Sequence, residues 1–353
     1  MATERRSDLD VRPSRLAEVA QLAAVSHATV SRAFNAPQLL NAATLKRVNE
    51  AAEQLRYIPD GLARSLRRNR SMVIGAVVPS LRHAYFATTV QGLQAEIAKR
   101  GYTLLLSASD FNDQAELAAV RSMIRQGVDG FVMVGRQHDP ELLSLLNERQ
   151  KPFIITWSYD TMQASVGFDH RKAIQPAVNH LLDLGHQDIV AVMAFLRVSD
   201  RERDRLAGIE EAFARRGRSF AADRVIFANG SGLQDGRNAF RSARTKFPQA
   251  TAVICANDLL AAGALMECAA TNLVVPRDIS VIGYGDLDIA AAMTPSITTI
   301  RTPAEDMGRM AAIALLSRLS GEAGLQHIEL ATELIVRGST GPARPRRAPQ
   351  RTR

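Results

Sequence analysis

Cysteine is nearly absent from this 353-residue chain: Cys255 and Cys268 are the only two, thirteen positions apart. That is too few, and the wrong spacing, for a disulfide framework or a zinc site. Long apolar runs are missing as well. No window approaches the ~18 residues of a membrane span, and the charged first residues lead into no apolar stretch. We therefore expect neither a signal peptide nor a membrane segment, and a cytoplasmic location. The seven histidines are scattered, and no glycine-rich loop with a following lysine could cradle phosphate. Gly283-Tyr284-Gly285 lacks the context of a dinucleotide fingerprint, because it closes a lobe rather than opening one. No nucleophile and base stand together, so no catalytic residue, metal or cofactor is expected.

What is present is positive charge, unevenly placed. The formal net charge is +8, yet the first 71 residues carry twelve Lys and Arg against seven Asp and Glu, and the last thirteen carry five Arg and no acid. The long body between is close to neutral. A basic head on a neutral body is the electrostatic footprint of a nucleic-acid reader, since only one module has to neutralise phosphates. At this length a single core is also too small a plan, because domains stop growing near ~250–300 residues.

Residues 16–56 show three short apolar stripes at helical spacing: Leu16, Val19, Ala20 and Ala23; then Val30, Ala33 and Phe34; then Leu45, Val48, Ala52 and Leu55. Ser26 and Asn41 stand where N-caps of the second and third helices belong. Ile58-Pro59-Asp60-Gly61 ends the pattern, and the stretch 62–68 after it is too short to hold a helix alone. From residue 72 to 284 continuous apolar runs alternate with helical patterns. Strands are expected at 72–79, 102–107, 130–134, 153–157, 189–194, 224–227, 252–256 and 279–284, and helices between them, one of them at 205–215. Runs apolar on every residue suit strands buried on both faces of a parallel sheet. Two α/β doubly wound lobes follow, with ligand sites expected where strand carboxyl ends face a cleft.

The second helix must offer its first turns to base edges of a major groove. Its outward candidates are His27, Ala28 and Arg32; the planar fork of Arg32 suits guanine O6 and N7, while Ala28 offers only apolar contact.

The run Leu-Ala-Glu-Val-Ala-Gln-Leu-Ala-Ala-Val-Ser-His-Ala-Thr-Val-Ser-Arg-Ala-Phe-Asn from Leu16, with Leu-Arg-Tyr-Ile-Pro-Asp-Gly-Leu-Ala-Arg-Ser-Leu-Arg from Leu55, resembles the lactose-repressor (LacI/GalR) family. The likeness continues through Ile74–Pro79, Gln126-Gly127-Val128-Asp129-Gly130, Arg205-Leu206-Ala207-Gly208, Ala256-Asn257-Asp258 and Val275–Tyr284. It covers nearly all but the two extremities. The resemblance implies a transcription regulator, and a repressor in the first instance. Its head is a three-helix helix-turn-helix, followed by a short hinge helix and two lobes of the periplasmic-binding-protein type. By the same resemblance the two positions after Ser26 set operator preference, and Ser26, Thr29, Ser31 and Asn35 meet phosphates. In the hinge, Leu66 would wedge into the minor groove, with Ala63 permitting close approach and Arg67 on the backbone.

For the cleft, the resemblance points to Tyr85, Phe86, Trp157, Arg205, Asn257, Asp258 and Asp286, with aromatics stacking on an effector ring and Arg205 gripping a hydroxyl or carboxylate. Many members carry an acid where this chain has Gly285, a departure that brings sugar acids and other small anions level with neutral sugars. The expected organisation is a disordered extension at 1–14, a DNA-binding domain at 15–58, a hinge at 59–70, an effector-binding and dimerisation body at 71–340 and a disordered basic tail at 341–353. Expected partners are double-stranded DNA carrying a pseudo-palindromic operator, a small-molecule effector and a second copy, with no membrane. Residues after 337 hold no leucine heptads, so a dimer is expected rather than a tetramer. Two alternatives compete: an exported ligand receptor, which would need a signal and no DNA-reading head, and an enzyme on the same body, which lacks a reacting pair.

Overall fold

The computed structural model describes residues 16–58, 70–322 and 327–344. The chain divides into two compact units, Met1–Ser71 and Met72–Arg353.

In the first unit, α1 (Leu16–Leu22), α2 (His27–Asn35) and α3 (Ala42–Gln54) follow the three stripes. Both expected caps form. The Ser26 hydroxyl accepts from the Thr29 amide at 3.2 Å, and Asn41 Oδ1 from the Thr44 amide at 2.8 Å, each satisfying an amide the helix leaves unpaired. Val19, Ala20, Ala23, Val30, Ala33, Val48, Ala51 and Ala52 make the core. Small residues dominate it, so three short helices can approach closely. The expected hinge helix, with Ala63, Leu66 and Arg67, lies outside the described residues.

The second unit holds two six-stranded sheets. One contains β1 (Val73–Val78), β2 (Thr103–Ala108), β3 (Gly130–Val134), β4 (Phe153–Thr156), β5 (Ser165–Gly167) and β11 (His327–Glu329), in the order β11-β5-β4-β3-β1-β2. The other contains β6 (Ile189–Met193), β7 (Val225–Phe227), β8 (Ala252–Cys255), β9 (Ser280–Gly285), β10 (Thr298–Arg301) and β12 (Glu333–Ile335), in the order β12-β10-β9-β8-β6-β7. All pairings are parallel except β10 with β12. The central strands are buried along their whole length, as their unbroken apolar sequences require. Around the first sheet lie α4 (Ala84–Ala98), α5 (Asp113–Arg125) and α6 (Pro140–Glu148). The second lobe carries α7 (His170–Asp183), α8 (Asp200–Arg215), α9 (Leu233–Lys246), α10 (Asp258–Ala270) and the short α11 (Asp288–Ala292).

Beyond Tyr284 the structure adds what the pattern did not reveal. The chain leaves β10, runs through α12 (Ala304–Ser320) on the first lobe, adds β11 to the first sheet and returns as β12 to the second. With the β5-to-β6 passage, the backbone crosses between lobes three times. Two further corrections matter for the site. Helix α8 begins at Asp200 and not at Arg205, because Ser199 caps it by accepting from the Glu202 amide at 3.4 Å; Arg205 therefore stands in its second turn. Residues 341–344, expected in a loose tail, are tied to the second lobe. The Gly341 amide donates to Ser280 Oγ at 3.1 Å, the Ala343 amide to the Leu184 carbonyl at 2.8 Å, and Arg344 pairs with Asp278.

Candidate functional site

Two places carry candidate function, one in each unit. On α2, His27, Ala28 and Arg32 are exposed, and a spacing of four puts Ala28 and Arg32 on one face. Ser26 and Thr29 join hydroxyls at 3.0 Å beside the cap. Asn35 Nδ2 donates to the Ser31 carbonyl at 2.7 Å.

The second place is a cavity of about 410 Å³ of empty space, mouth included, at the carboxyl ends of strands from both lobes. The turn after β1 leads to Tyr85, that after β2 to Phe111, and Trp157 follows β4 directly. From the other lobe come Phe195 and Ser199 after β6, Ala256 after β8, and Tyr284 and Gly285 at the end of β9. His170 opens α7, and Arg201, Glu202 and Arg205 descend from α8.

Arg205 is a buried member of this lining. The guanidinium lies 4.6 Å from the Tyr284 ring centroid, a cation–π distance. Nη1 reaches His170 Nδ1 at 3.2 Å, Nη2 comes within 3.7 Å of Glu202 Oε1, and buried Nε has no partner among the described residues. His170 fixes the proton arrangement around it. Its Nε2 faces the Trp157 carbonyl at 2.7 Å and must carry hydrogen, so Nδ1 accepts from the Tyr284 hydroxyl at 3.0 Å and from Arg205. Burial, and then the Arg205 cation, hold its pKa well below the usual imidazole value, so the ring is neutral. Glu202 is held too: Oε2 accepts from the Ala194 and Phe195 amides at 3.0 and 2.8 Å. Buried Arg201 bonds Asp200 Oδ1 at 3.0 Å.

At the mouth the lobes meet through rings. Phe111 stacks on Phe195 at 4.2 Å between centroids, and His83 bridges Tyr85 Oη at 3.0 Å and Ser231 Oγ at 2.5 Å. Burial, helped by Arg201, lowers the His83 pKa to about 4, while burial pushes the Tyr85 hydroxyl up to about 12. Trp157 has φ +63°, a left-handed backbone rare for a bulky residue. Its amide faces Met307 Sδ at 3.0 Å and its indole N–H donates to Thr89 Oγ1 at 3.2 Å.

Of the seven residues expected to line the cleft, Tyr85, Trp157 and Arg205 do so. The other four lie off the lining. Phe86 is fully buried edge-on to Trp157, where it borders a second, apolar cavity. Asn257 caps α10, accepting from the Leu260 amide at 2.8 Å. Asp258 is wholly buried, accepts from Thr299 Oγ1 at 2.6 Å and the Leu287 amide at 2.7 Å, and is raised by burial to about 6. Asp286 pairs with Arg301 at 2.7 Å and Arg337 at 2.6 Å. Sequence reasoning passed over Phe111, His170, Phe195, Arg201 and Glu202. Phe111 and Phe195 had a usable signal, each being an aromatic just past the carboxyl end of an apolar run.

Residues 15–60 match the family model of bacterial regulatory proteins, lacI family, and residues 178–340 that of a periplasmic binding protein-like domain. The HTH-type transcriptional repressor PurR of Aliivibrio fischeri is 31% identical over 330 residues, covering 91% of this chain and 97% of the relative. The chain belongs to the lacI family. The HTH-type transcriptional repressor CytR of Escherichia coli is similar to the same degree, 31% over 328 residues, with 92% and 95% covered. Among solved structures, a lac repressor dimer bound to operator and an anti-inducer aligns with TM-score 0.84 at 27% identity, covering 94% of this chain and all of that one. As a lacI-family member the chain is a DNA-binding transcriptional regulator with a periplasmic-binding-protein-like effector domain. No helix among its described residues is long and apolar enough to cross a membrane.

Proposed function

We propose that this lacI-family regulator represses transcription from a pseudo-palindromic operator as a homodimer, and that a small metabolite in the Arg205 cavity sets its operator affinity. His27, Ala28 and Arg32 read base edges, while Ser26, Thr29, Ser31 and Asn35 face phosphates. The Asn35 amide is oriented by donating from Nδ2 to the Ser31 carbonyl. Ala63, Leu66 and Arg67 form the minor-groove hinge. A sugar, a sugar acid or a related metabolite binds against Tyr85, Trp157 and Arg205, and the protein works in the cytoplasm, where its two buried, unpaired thiols stay reduced.

The observation that carries this reading is Arg205. A buried guanidinium nitrogen without a partner, inside a ring-walled cavity at strand carboxyl ends, is costly unless a ligand completes it. The test uses the full-length protein. Selection from random duplexes is expected to return a palindrome, and Arg32→Ala is expected to lose ~1–3 kcal/mol on it and to relax one base position per half-site. Uniform affinity for every duplex would refute the operator reading. A thermal-shift screen of sugars, sugar acids and purines, repeated on Arg205→Gln, tests the cavity: a hit that stabilises both proteins equally would remove it as the effector site.

A further inference from the structure

We infer that the effector is a small aromatic carboxylate, a single flat ring bearing one anionic group, and not a polyhydroxylated sugar. This rests on the cavity reading above and narrows it.

Hydrogen-bond supply is the first ground. A sugar presents hydroxyls that must both donate and accept, so its site needs side-chain acceptors in number. Among the lining residues there is no Asn, Gln or Asp side chain. The one carboxylate, Glu202, gives its Oε2 to two backbone amides and keeps only Oε1, 3.7 Å from Arg205 Nη2, as an open acceptor. The one bare imidazole nitrogen, His170 Nδ1, already receives Tyr284 and Arg205. Ser199 Oγ already accepts one bond in the cap of α8. A buried polyol would therefore find one open carboxylate oxygen and a few hydroxyl oxygens to accept its protons, a poorer supply than water gives it.

Donors are in the opposite condition. Arg205 Nε is buried and unpaired, and its Nη2 stands at 3.7 Å from Glu202, beyond good hydrogen-bond length. A planar carboxylate matches that fork.

Wall composition is the second ground. Six of the twelve lining residues carry rings, among them Tyr85, Phe111, Trp157, Phe195 and Tyr284. The stacked faces of Phe111 and Phe195 reward a flat apolar body and offer no hydrogen-bonding group to the hydroxyls of a pyranose.

Trp157 is the only tryptophan in the chain and lines the cavity, so its emission reports occupancy directly. Full-length protein is titrated with benzoate, 4-hydroxybenzoate, benzyl alcohol, gluconate and ribose, following Trp157 fluorescence and Tm together. Benzoate or 4-hydroxybenzoate is expected to saturate the signal and raise Tm. Benzyl alcohol, which keeps the ring and loses the charge, should bind at least ~10-fold more weakly, and so should both acids on Arg205→Gln. Phe111→Ala, which leaves the charged cluster intact, is expected to weaken the aromatic acids and guards against a misfolded Arg205 variant. Gluconate or ribose binding more tightly than both acids, with Trp157 responding, would overturn the aromatic class and leave the cavity as effector site. No response to either acid at millimolar concentration overturns the class as well. Stabilisation by any probe without a Trp157 response, and unaffected by Arg205→Gln, would overturn the cavity reading along with it.

Discussion

His83 joins the two lobes at the cavity mouth, touching Tyr85 on its own side and Ser231 across the gap. Protonation would put a cation beside Arg201 in a buried place, which is why its pKa falls from 6.5 to about 4. A folded value below the unfolded one means the unfolded chain binds the proton more readily between them. The stabilisation is therefore complete above about pH 6.5 and is lost as pH falls towards 4, up to ~3 kcal/mol in all. Asp258 runs the other way: raised from 3.8 to about 6, it contributes at low pH and loses that contribution as pH rises through this range. The two must be separated by difference. His83→Gln is expected to flatten the rise of urea-unfolding stability between pH 4 and 6.5 relative to the parent; parallel curves would show that His83 is not titrating there. At this scale the sequence told least. Tyr85, Trp157 and Arg205 were readable because each lies at an apolar run's end or in a family motif. Asp258 and Asp286 misled because an acid near a strand end is equally useful to the fold, one satisfying Thr299 and a backbone amide, the other pairing two arginines.

Helices α4 and α12 show why a glycine can matter more than a charge. A Cβ on Gly308 would stand 1.9 Å from the Thr89 carbonyl oxygen and 2.7 Å from the Leu93 amide, and one on Gly92 would stand 2.2 Å from the Glu305 carbonyl oxygen. Neither obstacle is a movable side chain; the helices themselves must part. Gly308→Ala is expected to cost roughly 1–3 kcal/mol, as overpacking does, and to lower Tm by several degrees. The same helices hold the cavity's tryptophan, through Thr89 on one and Met307 on the other. A shifted Trp157 emission maximum should therefore accompany the lost stability, and an unchanged one would uncouple the helix pair from the cavity. Most elements of both lobes were legible because buried parallel strands are unbroken apolar runs. Helix α12 was not, since Met307, Ala311, Ala312, Ala314 and Leu315 are all buried and leave only a weak polar face to mark its period. Strands β5, β11 and β12 have three residues each, too few to display alternation. The true start of α8 was masked by its first turn, Asp-Arg-Glu-Arg, in which Asp200, Arg201 and Glu202 are buried instead of marking a solvent face.

Three crossings of the backbone between the lobes allow them to change their relation without either sheet reorganising, since each sheet keeps its own strand order and core. A ligand held by Trp157 and Tyr85 from one lobe and Arg205 and Tyr284 from the other prefers one such relation. It can influence DNA only through the difference in its affinity for operator-competent and operator-incompetent states, typically about 1–3 kcal/mol, or ~5–150-fold. Linkage makes the effect reciprocal, so saturating operator must change effector affinity by the same factor. The hinge sequence gives a way to break one arm of this cycle alone. Leu66→Ala removes the side chain proposed to enter the minor groove and changes none of the residues that line the cavity. Operator affinity at fixed salt is expected to fall, while effector affinity measured through Trp157 on DNA-free protein stays within about twofold, a difference of ~0.4 kcal/mol. A variant with undiminished operator affinity would mean that the three-helix head binds without a hinge wedge. The basic excess of the first 71 residues would then have to supply the binding through phosphates, and the slope of log affinity against log salt would be that of the parent.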